Sequence, residues 1–208
     1  AEYGQEFRTK YSWLAQRPLI VYVGTFGMIN GVSYLAQVAK AVSAIDPDIR
    51  FLLVGTGKEE AMVKNLAQEL GVLGQNFFML PPMAKKDIPA VLSAADIATS
   101  TVIDIKETWN NSANKFFDAL ASGTPVAINH EGWQADILRK SGAGIVLDAQ
   151  NIQQAAEELV SALHDPEWLQ RAGCAARQLA QTEFAREILA KRLEQVLLNV
   201  VSEKERRK

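Results

Sequence analysis

Asn110, Asn111, Ser112, Ala113, Asn114 and Lys115 form a polar run that leads into Phe116-Phe117-Asp118-Ala119-Leu120-Ala121-Ser122-Gly123. The pattern predicts a loop feeding a helix that stops at Gly123 before a strand from Val126. The first turn of a helix carries backbone N–H groups without intrahelical partners and a partial positive charge, so it is suited to an anion. Lys115 beside that turn suits a phosphate, and Asp118 one turn deeper can accept hydrogen bonds from a ribose. Amides over the phosphates and a carboxylate on a pentose together fit an activated, nucleotide-linked sugar. Each residue also has a plain reading. Asp118 can be a solvated helix residue, Lys115 a surface lysine, and the asparagines caps that shape the loop.

These residues need a scaffold, and the hydrophobic pattern supplies one. The continuous apolar run at 19–23 reads as a strand buried on both faces, and 51–54, 77–80, 97–99, 126–128 and 144–147 read as further strands. Segments of helical spacing separate them, with glycines at 71 and 123 as stops. Asp87 is the expected cap of a short helix after Pro81-Pro82, and Asn151 and Asp165 are the expected caps of later ones. Strand–helix alternation of this kind predicts an α/β fold, a Rossmann-like parallel six-stranded sheet with helices on both faces. The expected divisions are a linker with a short helix at 1–17, the nucleotide-sugar-binding unit at 18–182, and an amphipathic helix at 183–208. The apolar stripe of that last helix, Ile188, Leu189, Leu193, Val196, Leu197, Val200 and Val201, is expected to pack mainly into the core.

Ligands of open parallel sheets bind beyond the carboxyl ends of the strands. Those ends carry Gly24-Thr25-Phe26-Gly27, Gly55-Thr56-Gly57, Pro81-Pro82-Met83 and His130-Glu131-Gly132-Trp133. A dinucleotide fingerprint would need GxGxxG after the first strand and an acid closing the second. Glycines at 24, 27 and 31 have the wrong spacing, and the second strand ends in Val54-Gly55-Thr56-Gly57. No GxxxxGK[ST] phosphate loop occurs. A net charge of −2 gives no basic field for nucleic acid. No apolar run reaches the ~18 residues of a membrane span. The single cysteine, Cys174, lies among alanines and is expected to be buried; it leaves no disulfide or paired-cysteine metal site. His130 and His164 read as structural or surface residues.

In order and spacing, Val23-Gly24-Thr25 with Gly31, Leu53 to Gly57, Ala94-Ala95-Asp96, Asn114 to Val126 and Glu131-Gly132-Trp133 resemble one family. The chain is similar, over roughly Pro18 to Ala190, to the C-terminal, donor-binding half of retaining, family 4-like glycosyltransferases of the GT-B fold. It most resembles the bacterial branch that builds cell-surface polysaccharides and lipopolysaccharide, including fucosamine-type transferases. The resemblance implies two acids separated by seven residues. Asp118 stands in the ribose-binding place and Asn110 in the sugar-binding one, where an amide replaces a charge. It implies diphosphate contacts from the backbone at Ala113 and Asn114, with Gly24, Thr25, Gly27 and Gly55 in the glycine loops. It implies base contacts at Pro82 and Met83, and a sugar pocket at Glu131, Gly132 and Trp133, although Trp133 can equally be a packing residue. The family's basic pair is replaced by Thr25 and Asn30, so Lys115, with Lys58, is the expected compensating charge. Lys115 and Asn110 are therefore the catalytic candidates.

The implied donor is a nucleotide-diphosphate sugar, UDP by the branch resembled, with no cofactor and no obligatory metal. The implied acceptor is a glycan or lipid-linked saccharide held by an N-terminal half. A cytoplasmic setting, at most peripheral to the inner face of the membrane, goes with it. A nucleotide-sugar 2-epimerase half and a non-catalytic nucleotide-binding module are the alternative classes. The loops offer few paired carboxylates for the acid–base work of the former.

Overall fold

The computed structural model describes residues 2–206. Six strands, β1 (Leu19–Val23), β2 (Arg50–Val54), β3 (Phe77–Leu80), β4 (Ile97–Ser100), β5 (Val126–Ile128) and β6 (Gly144–Val146), form one sheet in the order β3-β2-β1-β4-β5-β6. Every neighbouring pair is parallel. The order reverses between β1 and β4, which marks the switch point where ligands of such sheets sit.

Helices cover both faces. On one lie α2 (Ser33–Ile45), α3 (Glu60–Glu69) and α7 (Ile152–Leu163). On the other lie α1 (Glu2–Thr9), α4 (Ile88–Ala94), α5 (Asn114–Ser122), α6 (Trp133–Ser141) and α8 (Pro166–Thr182). The strands are mostly apolar on both faces because alternate residues serve different cores. Ile20, Tyr22, Phe51 and Leu53 face the first, and Leu19, Val21, Leu52 and Val54 the second.

The short helix expected within 1–17 is α1, and this leading segment is docked, with Phe7 and Leu14 buried in the second core. Arg8 fixes the segment by bonding the Ala94 carbonyl (2.9 Å), the Arg17 carbonyl (2.7 Å) and the Asp96 carboxylate (2.9 Å). The same carboxylate accepts from the backbone N–H of Leu19, so the leading helix is tied to the start of β1. Asp87 precedes α4 but its side chain does not cap it, whereas Asn151 and Asp165 do cap α7 and α8. Cys174 is exposed, on the outer face of α8. The last helix, α9 (Arg186–Arg206), does not bury its stripe: Leu193, Val196, Leu197 and Val200 are each more than half exposed. Only Phe184, just before it, reaches the core.

The glycine loops hold the strand ends together. A Cβ on Gly55 would overlap the Gly24 carbonyl oxygen, and one on Gly57 the Phe26 carbonyl. These glycines let the β2 loop lie directly on the β1 loop. Gly27 has ordinary negative φ and its nearest would-be contact is 3.5 Å away. Gly55→Ala is therefore expected to destabilise the chain by about 1–3 kcal/mol, a fall of several degrees in Tm. Gly27→Ala should stay within about 0.5 kcal/mol of wild type. Paired thermal denaturation curves check the contrast.

Candidate functional site

The entrance to α5 decides the character of the site. Its N-cap, Ala113, has no side chain able to cap, and no other side chain takes that place. This uncapped entrance, Ala113 to Lys115, lines an open cleft of about 880 Å³. The walls are the β1 loop (Gly24, Thr25, Asn30), the polar run Asn111 to Lys115, the α4 residues Ile88 and Leu92, and the α5 residues Asp118 and Ser122. This is the β1–β4 switch point, at the carboxyl ends of the strands. Three cations, Lys85, Lys115 and Arg177, and one carboxylate, Asp118, line it. The balance favours an anion.

Lys115 carries the sharpest electrostatic signal. Burial pushes its ammonium pKa down to about 8. Its Nζ donates to Asn30 Oδ1 at 3.0 Å and lies 5.4 Å from the centre of the Tyr22 ring. Its Cε occupies space that a side chain at Gly24 would need, since a Cβ there would be 3.1 Å away. No carboxylate pairs with it among the described residues, so a desolvated cation waits without a counter-ion. The site is built for an incoming negative charge.

Asn30 holds this arrangement. Its Nδ2 donates to the Thr25 carbonyl (2.8 Å), its Oδ1 accepts from Lys115, and its carbonyl accepts from Thr101 Oγ1 (2.7 Å). The phenol of Tyr22, kept protonated by burial, donates to the same Thr25 carbonyl at 2.7 Å. Gly31, with φ +53, passes against the backbone of Val102 and Ile103, where a Cβ would be 2.9 Å from the nearest atom. The loop before α5 is pinned from the other side by Asn129. Its amide clasps both backbone groups of Val102, at 2.8 and 2.9 Å, with the side chain buried.

The structure brings Gly24, Thr25, Ala113, Asn114, Lys115 and Asp118 to one cleft. The side chains of Asn114 and Asp118 are exposed and have no hydrogen-bond partner among the described residues, so both are available to a ligand. Other expected residues lie elsewhere. Asn110 ends an exposed 3-10 turn (Lys106–Asn110) outside the cleft lining. Gly27 and Gly55 shape the loops, and Met83 packs against the second core. Pro82 and Lys58 are exposed and off the cleft lining. Trp133 sits among Phe116, Phe117 and Phe184, with ring centres 5.8, 6.1 and 6.4 Å away, so its packing role is the one realised. Gly132, with φ +97, approaches the Trp109 carbonyl closely. Glu131 is held by both arms of Arg139 at 2.6 Å, in a separate polar cleft of about 340 Å³ with Asp104, His130, Asp148 and Glu158. His130 is buried, donates Nδ1–H to the Glu131 carbonyl at 2.8 Å, and is shifted down by burial, so it is neutral at pH 7.

Sequence reading missed Asn30 as the loop's junction, and missed Lys85 and Arg177 as cleft cations. No local pattern marks the last two, because Arg177 reaches the site from α8 through packing on α5.

Comparison with known proteins agrees with this geometry. The family described as Glycosyl transferases group 1 matches residues 5–179. The chain belongs to that family. It is 25% identical over 196 residues to a GDP-mannose-dependent monoacylated alpha-(1-6)-phosphatidylinositol monomannoside mannosyltransferase of Corynebacterium glutamicum, covering 91% of this chain and 49% of that protein. It is 22% identical over 198 residues to spore coat protein SA of Bacillus subtilis, covering 91% and 50%. The chain thus spans about half the length of these curated relatives. Among solved structures, Anabaena HepE in complex with UDP and glucose superposes with a TM-score of 0.79 at 18% identity, over 95% of this chain and 52% of that one. The C-terminal domain of a glycosyl transferase group 1 family protein from Francisella tularensis superposes with a TM-score of 0.71 at 18% identity, over 88% and 94%. The sheet is therefore the Rossmann-like unit of a GT-B fold.

An anion meeting Lys115 needs the charged form. The share of pyrophosphate affinity that Lys115 supplies is expected to fall as pH rises through about 8. Lys115→Met should bind more weakly at pH 7, and the wild-type-to-variant affinity ratio, in which the ligand's own ionisation cancels, should decline through that window; titration calorimetry from pH 6.5 to 9.5 checks both.

Proposed function

We propose that the cleft at α5 is the donor site of a retaining sugar-nucleotide glycosyltransferase, and that it binds a nucleoside-diphosphate sugar. One observation carries the reading: an uncapped helix entrance opens beside a half-buried lysine without a counter-ion, with a free carboxylate one turn deeper. The diphosphate rests on the N–H groups of Asn114 and Lys115 and against the Gly24-Thr25 backbone. Lys115 and Arg177 face its charge. Asp118 accepts hydrogen bonds from the ribose hydroxyls, and Asn111 and Asn114 add amide contacts.

In transfer, the bond between the sugar's anomeric carbon and the diphosphate oxygen breaks, and negative charge grows on the leaving group. Donors already placed there stabilise that charge without reorganising. Lys115 is assigned this role, shared with the helix entrance. Asn110 is assigned a secondary contact to the transferred sugar, and Glu131 and Gly132 the outer edge of its pocket. UDP is the proposed nucleotide. Support comes from the solved neighbour that holds UDP and glucose, while the mannosyltransferase relative is described as GDP-mannose-dependent. A second neighbour is described as a glycosyltransferase involved in lipopolysaccharide biosynthesis, which supports a cell-surface glycan as the product. The acceptor, a glycan or lipid-linked saccharide, is assigned to a further half of the kind the longer relatives have room for. The setting is cytoplasmic, with membrane contact only through such an acceptor; among the described residues no helix is long and apolar enough to cross a membrane.

Two outcomes test the reading. Asp118→Ala should weaken UDP binding by about 1–3 kcal/mol in calorimetry, and an unchanged affinity removes the ribose assignment. The purified 208-residue chain should bind nucleotide but show no sugar transfer to a saccharide acceptor in a radiolabel assay. Robust turnover would show that the acceptor half is not needed.

A further inference from the structure

The two edges of the sheet are finished differently. At β3 the preceding loop folds back onto the strand: Gly74 N–H donates to the Phe77 carbonyl at 2.9 Å, and Leu73 forms a bridge with Phe77. β6 pairs only with β5, in the register Val126 with Gly144, Ala127 with Ile145 and Ile128 with Val146. The Ala143 carbonyl accepts from Val126 N–H at 3.1 Å, and Leu147 N–H donates to the Ile128 carbonyl at 2.7 Å. Both backbone groups of one strand residue point to the same side, and those of the next residue point to the other. Residues 143, 145 and 147 therefore turn inward to β5, while Gly144 and Val146 turn N–H and C=O outward. Among the described residues, no other segment bonds these outward groups. β6 is only half-buried along its length, unlike β4 and β5. Such an edge is a template on which another extended chain can pair.

The edge borders a groove of about 660 Å³, to which Ile145, Val146 and Trp168 give an apolar lining. Its charge is one-sided. Glu157, Glu158 and Asp165 line it, and the lining's one cation, Arg139, has both arms on Glu131. Each of the three carboxylates keeps one oxygen without a hydrogen bond among the described residues. Glu157 and Glu158 accept from glutamine amides through Oε1, and Asp165 caps α8 through Oδ1. Oε2 of Glu158 is buried as well as unpartnered, which leaves its desolvation uncompensated. Along α7, Glu157 and Ser161 are one turn apart, about 6 Å on the axis. Alternate residues of a strand are about 6.7 Å apart, so a strand laid on β6 presents one side chain to α7 at each turn. No residue of this groove lines the donor cleft.

We propose that the β6 edge docks a basic, extended peptide segment of a partner protein. The segment adds as a further strand, pairing with the outward groups of Gly144 and Val146, and sets lysine or arginine at alternate positions against Glu157, Glu158 and Asp165. A second copy of this chain suits the edge less well, because pairing β6 with itself would bring two acidic rims together. The proposal does not depend on the donor-site reading.

The test is fluorescence anisotropy of the full chain with three synthetic heptapeptides: alternating Lys-Val, alternating Lys-Pro of the same charge, and alternating Glu-Val. Proline removes alternate N–H groups and holds the backbone off the strand conformation. The Lys-Val peptide should bind about tenfold or more tighter than either control. Glu157→Lys should weaken its binding about fivefold. Val146→Pro, which deletes an outward N–H and leaves the bonds to β5, should do the same. In nitrogen–proton correlation spectra, the Gly144 and Val146 amides should shift as the peptide is added. Those spectra and Glu157→Lys carry the test if Val146→Pro proves unfolded by its thermal melt. Equal binding of the Lys-Val and Lys-Pro peptides would mean charge attraction alone and overturns the strand addition. Equal binding of the Glu-Val peptide, no binding of the Lys-Val peptide, shifts confined to other surfaces, or a dimer in sedimentation that Val146→Pro dissociates each overturn it as well.

Discussion

A lysine taken out of water without a carboxylate partner is the constraint around which this site is arranged. The ammonium of Lys115 is supported by one amide oxygen and one aromatic face, and burial lowers its pKa to about 8. Neutral groups of this kind hold the cation in place without neutralising it. The rest of the neighbourhood makes the placement possible. Gly24 leaves room for the stem, Tyr22 supplies the ring while bonding the Thr25 carbonyl, and Asn30 ties loop, lysine and the Thr101 hydroxyl together. An amide at position 30 is physically coherent with this. A second lysine there would replace the accepting amide oxygen with a like charge near Lys115.

The same geometry accounts for the order of contacts along the cleft. A helix has one end that favours anions and a repeat that returns side chains to the same face every fourth residue. α5 sets its uncapped end beside Lys115 and carries Asp118 one turn deeper on the same cleft. A charged head followed by a pentose is the ligand proposed for that order of environments. The exposed stripe of α9 lies apart from this cleft.

The sheet was legible because most strands carry short apolar runs, the signature of burial on both faces, and because glycines punctuate the turns. The helix α5 and its entrance were legible for the same local reasons: a polar run, then a helical apolar period, then Gly123 in a left-handed turn. What escaped was non-local. Arg177 belongs to the cleft only because α8 packs on α5, and Asn129 pins Val102 from a neighbouring strand. The leading helix was expected, but its docking was not, because its polar composition hides the two anchors, Phe7 and Arg8, that hold it. Cys174 and the α9 stripe were misread because helical periodicity tells which residues share a face but not whether anything covers it. The residues placed in the sugar pocket by resemblance, Glu131 and Trp133, bond Arg139 and pack in an aromatic cluster, contacts that no local pattern announces.

The most direct test of the account is a crystal structure of the chain soaked with UDP. The diphosphate should be found on the N–H groups of Asn114 and Lys115, with the Lys115 ammonium on a phosphate oxygen and the Asp118 carboxylate on the ribose hydroxyls. Density for the nucleotide in the Glu131–Arg139 cleft, or on any surface away from α5, would contradict it.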